Sequence, residues 1–470
     1  MSAGQDLQAV LADPLRSCIR EAGARQGRTI VSVTVPTSVR DPAATAFASR
    51  RADDPWFCWE DLQAGVRIGA LGEAVSVVSR GPNRFEEVAD ECARLSGGAI
   101  LHEPEGQPIH TGPLWLGGFA FEEEDGSGPW AGFPPARLYV PEIAVLRSGD
   151  EAWLTLNVMV RSGSETEDLI EAALRRVAGM EQTTDLPMLD PSPVVEEILQ
   201  GSGTPGGFEA AVATAVERIR AGDLEKVVLA RELIVEAASR YDPAAIFGAL
   251  REGFPTCFNF CVGTPAAAFL GASPELLVRS EGHEISTVGL AGSTRRSSDP
   301  AVDDHLAQRL LGSAKDRGEH DVVVRELVEA LKPLSVWVEA APEPGIVKVA
   351  NIQHLGTPVV AHLGQRKTAV ELAGLLHPTP AVGGQPWARA RGLIDEVEGL
   401  DRGWYAGPVG WMDGSGDGEF CVALRSALLR DREARLYAGV GIVADSDPAN
   451  ELAETEMKLA ALLPLVTDQG

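Results

Sequence analysis

Apolar and polar residues alternate along many short segments of this chain, and a period of two is typical of β-strands that are buried on one face. Gly, Pro, Asn or Asp residues interrupt these segments, as expected where strands end in turns. The alternation predicts strands over residues 56–60, 66–71, 115–121, 137–146, 152–160, 226–237, 269–278, 284–290, 421–429 and 436–443.

Apolar residues recur at helical spacing in other segments. They predict helices over residues 166–180, 208–219 and 303–334 and a last helix that begins near Asp447. Because strands and helices occur in mixed runs without strict alternation, the pattern favours an α+β fold with largely antiparallel sheets. Residues 183–207 are rich in Pro, Gly, Ser and Thr, which predicts a connection between two halves.

The composition narrows the classes of partner. With 470 residues the chain can form two or three ordinary domains or one large one. Its net charge of -27 argues against nucleic acid and anionic membranes as partners, and an anionic substrate would need cations supplied by the site. Without a signal-peptide pattern or a membrane-spanning apolar run, we expect a cytoplasmic protein whose six scattered cysteines are buried free thiols.

Charged residues and glycines are concentrated near the end of the chain. The helix predicted from Asp447 places three charged residues on one face, namely Glu451, Glu454 and Lys458. The preceding strand puts Gly439 and Gly441 on one sheet face, where a ligand can approach bare backbone. Arg425 is predicted to share a strand face with small apolar residues, where a cation needs an anionic partner. This combination predicts a site for a metal-bound anion.

A second acidic pair lies on the helix predicted over residues 303–334. Asp316 and Glu319 are three residues apart and share a helical face, as Glu451 and Glu454 do. Carboxylate oxygens are ligands that Mg²⁺ prefers. Each pair taken alone is more typical of a solvated helix surface than of a metal site.

Lysine is scarce in this chain, because arginine carries nearly all of the positive charge. Unlike arginine, lysine can lose its proton at working pH, so Lys226 and Lys458 are candidates for chemistry as well as for solvated surface amines.

A series of short segments supports a more specific interpretation. In chain order they are residues 226–231, 271–275, 289–295, 319–320, 353–355, 377–384, 402–411, 418–420, 423–426, 438–443, 446–448, 454–455 and Lys458. Together they resemble the chorismate-utilising enzymes, and within these the isochorismate synthases. The resemblance is dense over residues 208–463 and thinner over residues 56–160.

The resemblance implies a single large chorismate-binding fold, in which helices flank stacked antiparallel β-sheets and the site lies in the cleft between them. Residues 1–200 would be a divergent N-terminal portion of this fold, and residues 208–465 its chorismate-binding catalytic region. The implied substrate is chorismate, without an amidotransferase subunit, and relatives indicate a monomer.

The resemblance also implies roles for individual residues. Lys226 matches the general base of the family and Glu275 its general acid. The implied Mg²⁺ ligands, direct or through water, are Glu319, Glu451, Glu454 and Asp316; relatives often have Glu in place of Asp316. The implied substrate contacts are His354, Tyr405, Arg425, Gly439, Gly441 and Lys458.

These residue types suit the implied reaction, in which a water-derived hydroxyl at C2 replaces the hydroxyl at C4 of chorismate. A lysine acts as a base when burial or nearby cations lower the pKa of its ammonium group. A glutamate acts as an acid when burial raises the pKa of its carboxyl group.

Several relatives fit less well. Amine-using members lack the lysine found at position 226, and aminodeoxychorismate synthases typically carry Lys where this chain has Ala291. Salicylate synthases usually have Thr near Ala381 and a Ser-Gly pair at positions 383 and 384, where this chain has two glycines. The sequence therefore favours an isochorismate synthase that serves menaquinone or siderophore biosynthesis, with the long N-terminal half pointing to menaquinone. A salicylate synthase and an inactive chorismate-binding paralogue remain the alternatives.

Overall fold

A computed structural model describes residues 3–467 except 104, 105, 107–109, 127, 182, 184, 189–193 and 202. The described residues form eleven α-helices and twenty-three β-strands. The helices are α1 (Ala3–Gly23), α2 (Pro42–Ser49), α3 (Arg84–Gly97), α4 (Thr166–Ala178), α5 (Pro205–Arg220), α6 (Pro243–Gly253), α7 (Pro300–Gly312), α8 (Ala314–Leu331), α9 (Ala369–Leu376), α10 (Trp387–Val397) and α11 (Pro448–Leu459). In the described part of the chain, none of these helices is long and apolar enough to cross a membrane.

The strands are grouped into two large sheets. In chain order they are β1 (Arg28–Pro36), β2 (Trp56–Asp61), β3 (Val66–Leu71), β4 (Val75–Ser79), β5 (Ile100–His102), β6 (Trp115–Phe119), β7 (Ala136–Val140), β8 (Ile143–Ser148), β9 (Glu151–Arg161), β10 (Val195–Gln200), β11 (Lys226–Ala237), β12 (Phe258–Thr264), β13 (Ala267–Ser273), β14 (Leu276–Glu281), β15 (Glu284–Arg295), β16 (Ser335–Ala340), β17 (Gly345–Lys348), β18 (Ile352–Leu363), β19 (Gly384–Gln385), β20 (Pro408–Met412), β21 (Gly418–Val422), β22 (Ser426–Arg430) and β23 (Glu433–Ile442).

The first sheet has thirteen strands in the order β10-β11-β23-β22-β13-β12-β2-β3-β8-β9-β1-β5, with β19 beside β11. The second has ten strands in the order β16-β18-β15-β14-β21-β20-β6-β7-β4, with β17 beside β18. Among the strand pairs of the described residues, β1 and β5 alone run parallel. The predicted α+β fold with largely antiparallel sheets is therefore confirmed.

One apolar cluster takes side chains from both sheets. Trp59 and Phe260 from the first sheet and Trp115 and Phe420 from the second are fully buried in it. Burial of such large rings on both inner faces holds the two sheets together through the hydrophobic effect.

Both sheets contain strands from either side of the connection predicted over residues 183–207. In the first sheet β2 pairs with β12, and in the second β6 pairs with β20. Part of the predicted connection lies outside the described residues, and the remainder includes strand β10 and the first turn of α5.

Three predicted strands are wrong in the same way. The segments 137–146, 269–278 and 421–429 each contain two strands that belong to different sheets: β7 and β8, β13 and β14, and β21 and β22. Pro141 and Pro274 break the first two segments, because proline has no N–H for the ladder. Arg425 breaks the third, because its φ of 47° is not that of a strand.

Two of these crossings lie side by side. The backbone N–H of Val422 donates to the carbonyl of Glu275 at 3.0 Å, and that of Ala272 donates to the carbonyl of Arg425 at 3.1 Å. The prediction that Arg425 lies on a strand face is therefore wrong. Both Glu275 and Arg425 lie where the chain passes from one sheet to the other.

Helix caps place the acidic residues. The helix predicted over residues 303–334 is broken at Ser313, whose hydroxyl accepts a hydrogen bond from the N–H of Asp316 and begins α8. Helix α11 begins after Asp447, as predicted, because this carboxylate accepts from the N–H of Asn450. The acids of α8 and α11 thereby lie in the first two turns of their helices.

The cysteines also agree with expectation. All six, which lie within the described residues, are buried and free: Cys18, Cys58, Cys92, Cys257, Cys261 and Cys421.

Candidate active site

A cavity of about 750 Å³ lies beside the two adjacent crossings. Most of the predicted site residues line it, namely Glu275, Glu319, His354, Tyr405, Arg425, Gly439, Gly441, Glu454 and Lys458. The other three are Lys226, Asp316 and Glu451, which do not line the cavity but lie next to residues that do. The fold thus brings together residues that are spread from Lys226 to Lys458 along the chain.

Lys226 is the first residue of β11 and is fully buried. Its Nζ lies 2.9 Å from Oε1 of Glu319, which lines the cavity. The two groups form an ion pair, but their relative orientation is not that of a hydrogen bond. Within the described part of the chain, the Lys226 ammonium group has no hydrogen-bond acceptor. Its nitrogen therefore keeps donor capacity that no described residue uses, and Glu319 lies between it and the cavity.

Glu275 occupies the crossing between β13 and β14, and its side chain is almost completely buried. Burial raises the pKa of this carboxyl group to about 8, although the positive charges of Lys226, Lys458 and Arg425 lower it in part. The carboxyl group of Glu275 consequently keeps its proton at neutral pH. Lys226 is thus close enough to Glu275 for its charge to influence this pKa.

Arg425 and His354 form a buried pair. Nη2 of Arg425 lies 2.6 Å from Nε2 of His354, and Nδ1 of His354 lies 3.3 Å from the carbonyl of Gly292. Burial and the charges of Arg425 and Lys458 hold the pKa of His354 well below its usual range. A neutral imidazole therefore accepts from Arg425 and donates to Gly292. Nη1 of Arg425 is buried without a hydrogen-bond partner among the described residues, which leaves a donor for an anion.

The two predicted glycines lie on β23 against the cavity. A Cβ atom at Gly441 would lie 2.1 Å from Oε1 of Glu319, so any side chain would displace this carboxylate. A Cβ atom at Gly439 would lie 3.0 Å from the hydroxyl of Tyr405. The carbonyl of Gly439 also accepts a hydrogen bond of 2.8 Å from Nζ of Lys458. A side chain at position 441 must therefore shift Glu319, and one at position 439 would crowd Tyr405.

Each predicted glutamate ligand is paired with a different lysine. The pairs are Glu319 with Lys226 at 2.9 Å, Glu451 with Lys315 at 2.7 Å and Glu454 with Lys458 at 2.9 Å. Within the described ranges, no three acidic, histidine or cysteine side chains surround a common point as they would a metal ion.

The acidic residues are nevertheless close enough to influence one another. Burial and the charges of Glu319 and Glu454 raise the pKa of Asp316. Burial and the charge of Glu454 likewise raise the pKa of Glu451, against the pull of Lys315. A set of mutually repelling carboxylates has the donor chemistry that suits a hard divalent cation.

Sequence reasoning missed three residues at the site. Ser293 donates a hydrogen bond of 2.7 Å to Oε1 of Glu454, and Arg402 donates one of 2.8 Å to the carbonyl of Val228. Both lie in segments that carry the family resemblance, but neither was assigned a role. Lys315 could have been found by the scarcity of lysine, the argument that identified Lys226.

Comparison with known proteins agrees with the resemblance seen in the sequence. The family model described as chorismate binding enzyme matches residues 17–467. A salicylate biosynthesis isochorismate synthase of Pseudomonas aeruginosa is 36% identical over 94% of this chain and 91% of its own length. The isochorismate synthase MenF of Bacillus subtilis is 34% identical over 87% of each chain.

Solved structures show the same relationship. The menaquinone-specific isochorismate synthase MenF of Escherichia coli superposes with a TM-score of 0.79 at 26% identity, over 98% of this chain and 100% of that one. The family match over nearly all of the chain and the likeness to these relatives confirm the predicted resemblance. The chain belongs to the family of chorismate-binding enzymes.

Proposed function

We propose that this protein is an isochorismate synthase, which converts chorismate to isochorismate. The observation that carries the proposal is a pair of buried groups, a carboxyl group in the cavity wall that keeps its proton and, behind Glu319 of the same wall, a lysine nitrogen without a hydrogen-bond acceptor among the described residues. The full-length likeness to relatives that are named isochorismate synthases supports it.

In the proposed reaction Lys226 and Glu275 move protons in opposite directions. In its neutral amine form, Lys226 takes a proton from the water that attacks C2 of the ring and becomes an ammonium ion. As the new C2–O bond forms, the ring double bonds shift and the C4–O bond breaks. Glu275 gives its proton to the departing hydroxyl, which leaves as water. The net reaction is an isomerisation, because one water molecule is added and one is released.

The positive groups of the cavity suit the two carboxylates of chorismate. Arg425 has a free donor at Nη1, and His354 holds the guanidinium in place through Nη2. The ammonium group of Lys458 and the hydroxyl group of Tyr405 supply further donors at the cavity wall. Charge-assisted hydrogen bonds of this kind fix a carboxylate in position and orient the ring.

We further propose that Glu319, Glu451 and Glu454 hold Mg²⁺, with Asp316 acting through a water molecule. Their carboxylate oxygens and their mutual repulsion support this assignment, because a divalent cation would relieve the repulsion. When bound, Mg²⁺ supplies positive charge for the ring carboxylate of the substrate.

A product assay tests the function. The purified protein is incubated with chorismate and Mg²⁺, and the products are separated by chromatography. We expect isochorismate without pyruvate. Salicylate with pyruvate would instead identify a salicylate synthase, and chorismate binding without turnover would identify an inactive paralogue.

Two lysine variants serve as controls in this assay. Lys226→Met should remove turnover while chorismate still binds, because the proposed base is lost and the carboxylate contacts remain. Lys367→Met removes a solvent-accessible lysine that is paired with Glu371, and it should leave the rate unchanged. Normal turnover by the Lys226 variant would exclude this residue as the base.

A further inference from the structure

Of the three lysines that are paired with proposed Mg²⁺ ligands, Lys315 is the one without a part in the reaction proposed above. It lies in the first turn of α8, and its Nζ donates a hydrogen bond of 2.7 Å to Oε1 of Glu451. The side chain of Glu451 is only 2% exposed, whereas that of Lys315 is 34% exposed. In the described part of the chain, Lys315 is the cation that is ion-paired with this buried carboxylate.

The ammonium group of Lys315 also lies within reach of the other acidic residues. The charges of Glu319 and Glu454 act on it in addition to that of Glu451, and together they raise its pKa although burial opposes this. Lys315 therefore occupies a position among three of the carboxylates that we propose as ligands of Mg²⁺.

A second cavity reaches the same group from another side. It has a volume of about 1120 Å³, and both Lys315 and Glu319 line it. Three exposed acidic residues, Asp223, Glu225 and Asp445, line it as well. Because Glu319 also lines the active-site cavity, this acidic cavity gives a cation from solvent access to the carboxylates beside Lys315.

We propose that Lys315 is an internal counter-ion of the metal site, which neutralises Glu451 in the metal-free protein and competes with Mg²⁺ for this carboxylate. This inference rests on the Mg²⁺ site of the proposed function. A buried carboxylate without a partner is strongly destabilising, so the lysine keeps the site charged and folded without metal. The same ammonium group repels a divalent cation a few ångströms away. An interaction that favours the metal-free form must weaken metal binding by an equal factor.

The test measures Mg²⁺ binding directly, without substrate. Titration calorimetry on Lys315→Met should give a dissociation constant for Mg²⁺ that is lower than that of the unmodified protein by roughly fivefold. The melting temperature without metal should fall, because Glu451 loses its ion-pair partner. The increase in melting temperature on saturation with Mg²⁺ should therefore be larger than in the unmodified protein.

Two further variants separate this role from a general effect of substitution. Lys315→Arg keeps the positive charge, so its affinity for Mg²⁺ should stay close to that of the unmodified protein. Lys332→Met removes an exposed lysine paired with Glu329 just after the end of the same helix, and it should change neither quantity.

An affinity of Lys315→Met that is equal to or weaker than that of the unmodified protein would overturn the inference. If this variant does not fold, Lys315→Gln replaces it in the same titration, and failure of both to fold even with Mg²⁺ overturns the inference too. If the unmodified protein binds no Mg²⁺, the metal site and the role of Lys315 fail together. Formation of isochorismate is judged separately by the product assay.

Discussion

At the scale of single residues, burial decides which groups carry protons. The pKa of Glu275 is raised from 4.5 to about 8 by burial, so its carboxyl group stays neutral across a pH range in which an exposed glutamate is ionised. A proton held in this way can be delivered to a leaving group. Three cations nearby do not cancel the effect, because the loss of solvation is larger.

The raised pKa of Glu275 predicts a pH dependence of activity. Turnover should decrease as the pH rises through about 8, because the ionised carboxylate has no proton to donate. Glu275→Gln keeps the size and neutrality of the side chain but removes the acid, so kcat should fall by roughly a hundredfold or more at every pH. Steady-state kinetics between pH 6 and about 9 measure both effects. A variant that keeps the normal rate would show that another group is the acid.

The raised pKa of Glu275 also predicts how the stability of Glu275→Gln compares with that of the unmodified protein as the pH changes. Between pH 4.5 and about 8 the folded protein keeps a proton on Glu275 that the unfolded chain releases, so the stability due to this group is lost progressively as the pH rises. Glu275→Gln does not titrate. Its melting temperature should increasingly exceed that of the unmodified protein over this pH range. A constant difference would contradict the raised pKa.

At the scale of secondary-structure elements, two neighbouring crossings between the sheets and one strand that carries two glycines form the site. The crossings take Glu275 and Arg425 out of regular strand geometry, and both residues line the cavity. Strand β23 supplies bare backbone opposite Glu319 and Tyr405. Helices α8 and α11 then contribute their acidic residues from their first two turns.

The close approach at β23 predicts the effect of adding one methyl group. In Gly441→Ala the new Cβ would lie 2.1 Å from Oε1 of Glu319 and 2.9 Å from Cε of Lys226, so the ion pair between these residues must shift. We expect kcat to fall by roughly tenfold or more, since displacement of reacting groups is costly. Gly392→Ala in α10 is a matched control, because its Cβ meets no atom within 4 Å. Equal activity of the two variants would contradict the proposed role of this contact.

At the scale of the whole molecule, the N-terminal and C-terminal parts of the chain share both sheets. Strand β12 pairs with β2, and β20 pairs with β6, so neither sheet is complete without residues before position 200. The apolar cluster between the sheets likewise takes residues from both parts. We propose that residues 1–200 are a portion of one fold with residues 208–465.

This shared architecture predicts that the C-terminal part does not fold alone. A fragment of residues 203–467 would expose the unpaired edges of β12 and β20 and large apolar rings such as Phe260 and Phe420. Circular dichroism and urea titration should show an unfolded or aggregated fragment, whereas the full chain should unfold cooperatively. A fragment with a cooperative transition of its own would contradict the proposed single fold.

Local patterns were sufficient for much of the secondary structure. Strand β11 matches its predicted bounds, and α11 begins beside the predicted Asp447, because alternation and capping act over a few residues. The strands broken at Pro274 and Arg425 were not foreseen, since alternation does not reveal that two halves of an apolar segment join different sheets. The helix break at Ser313 was also not foreseen, because helical spacing of apolar residues does not reveal where one helix ends and the next begins, although serine is a common cap.

The sequence alone determined the class of fold, the family and the residue types from which the site is built, because periodicity and motif spacing are properties of the linear chain. The tertiary structure alone decided where charge is buried and which groups meet. It placed Lys226 against Glu319, Glu275 in a setting that retains its proton, and Lys315 against Glu451. Desolvation and ion pairing depend on distances between residues far apart in the chain, and these distances exist only once the two sheets have packed together.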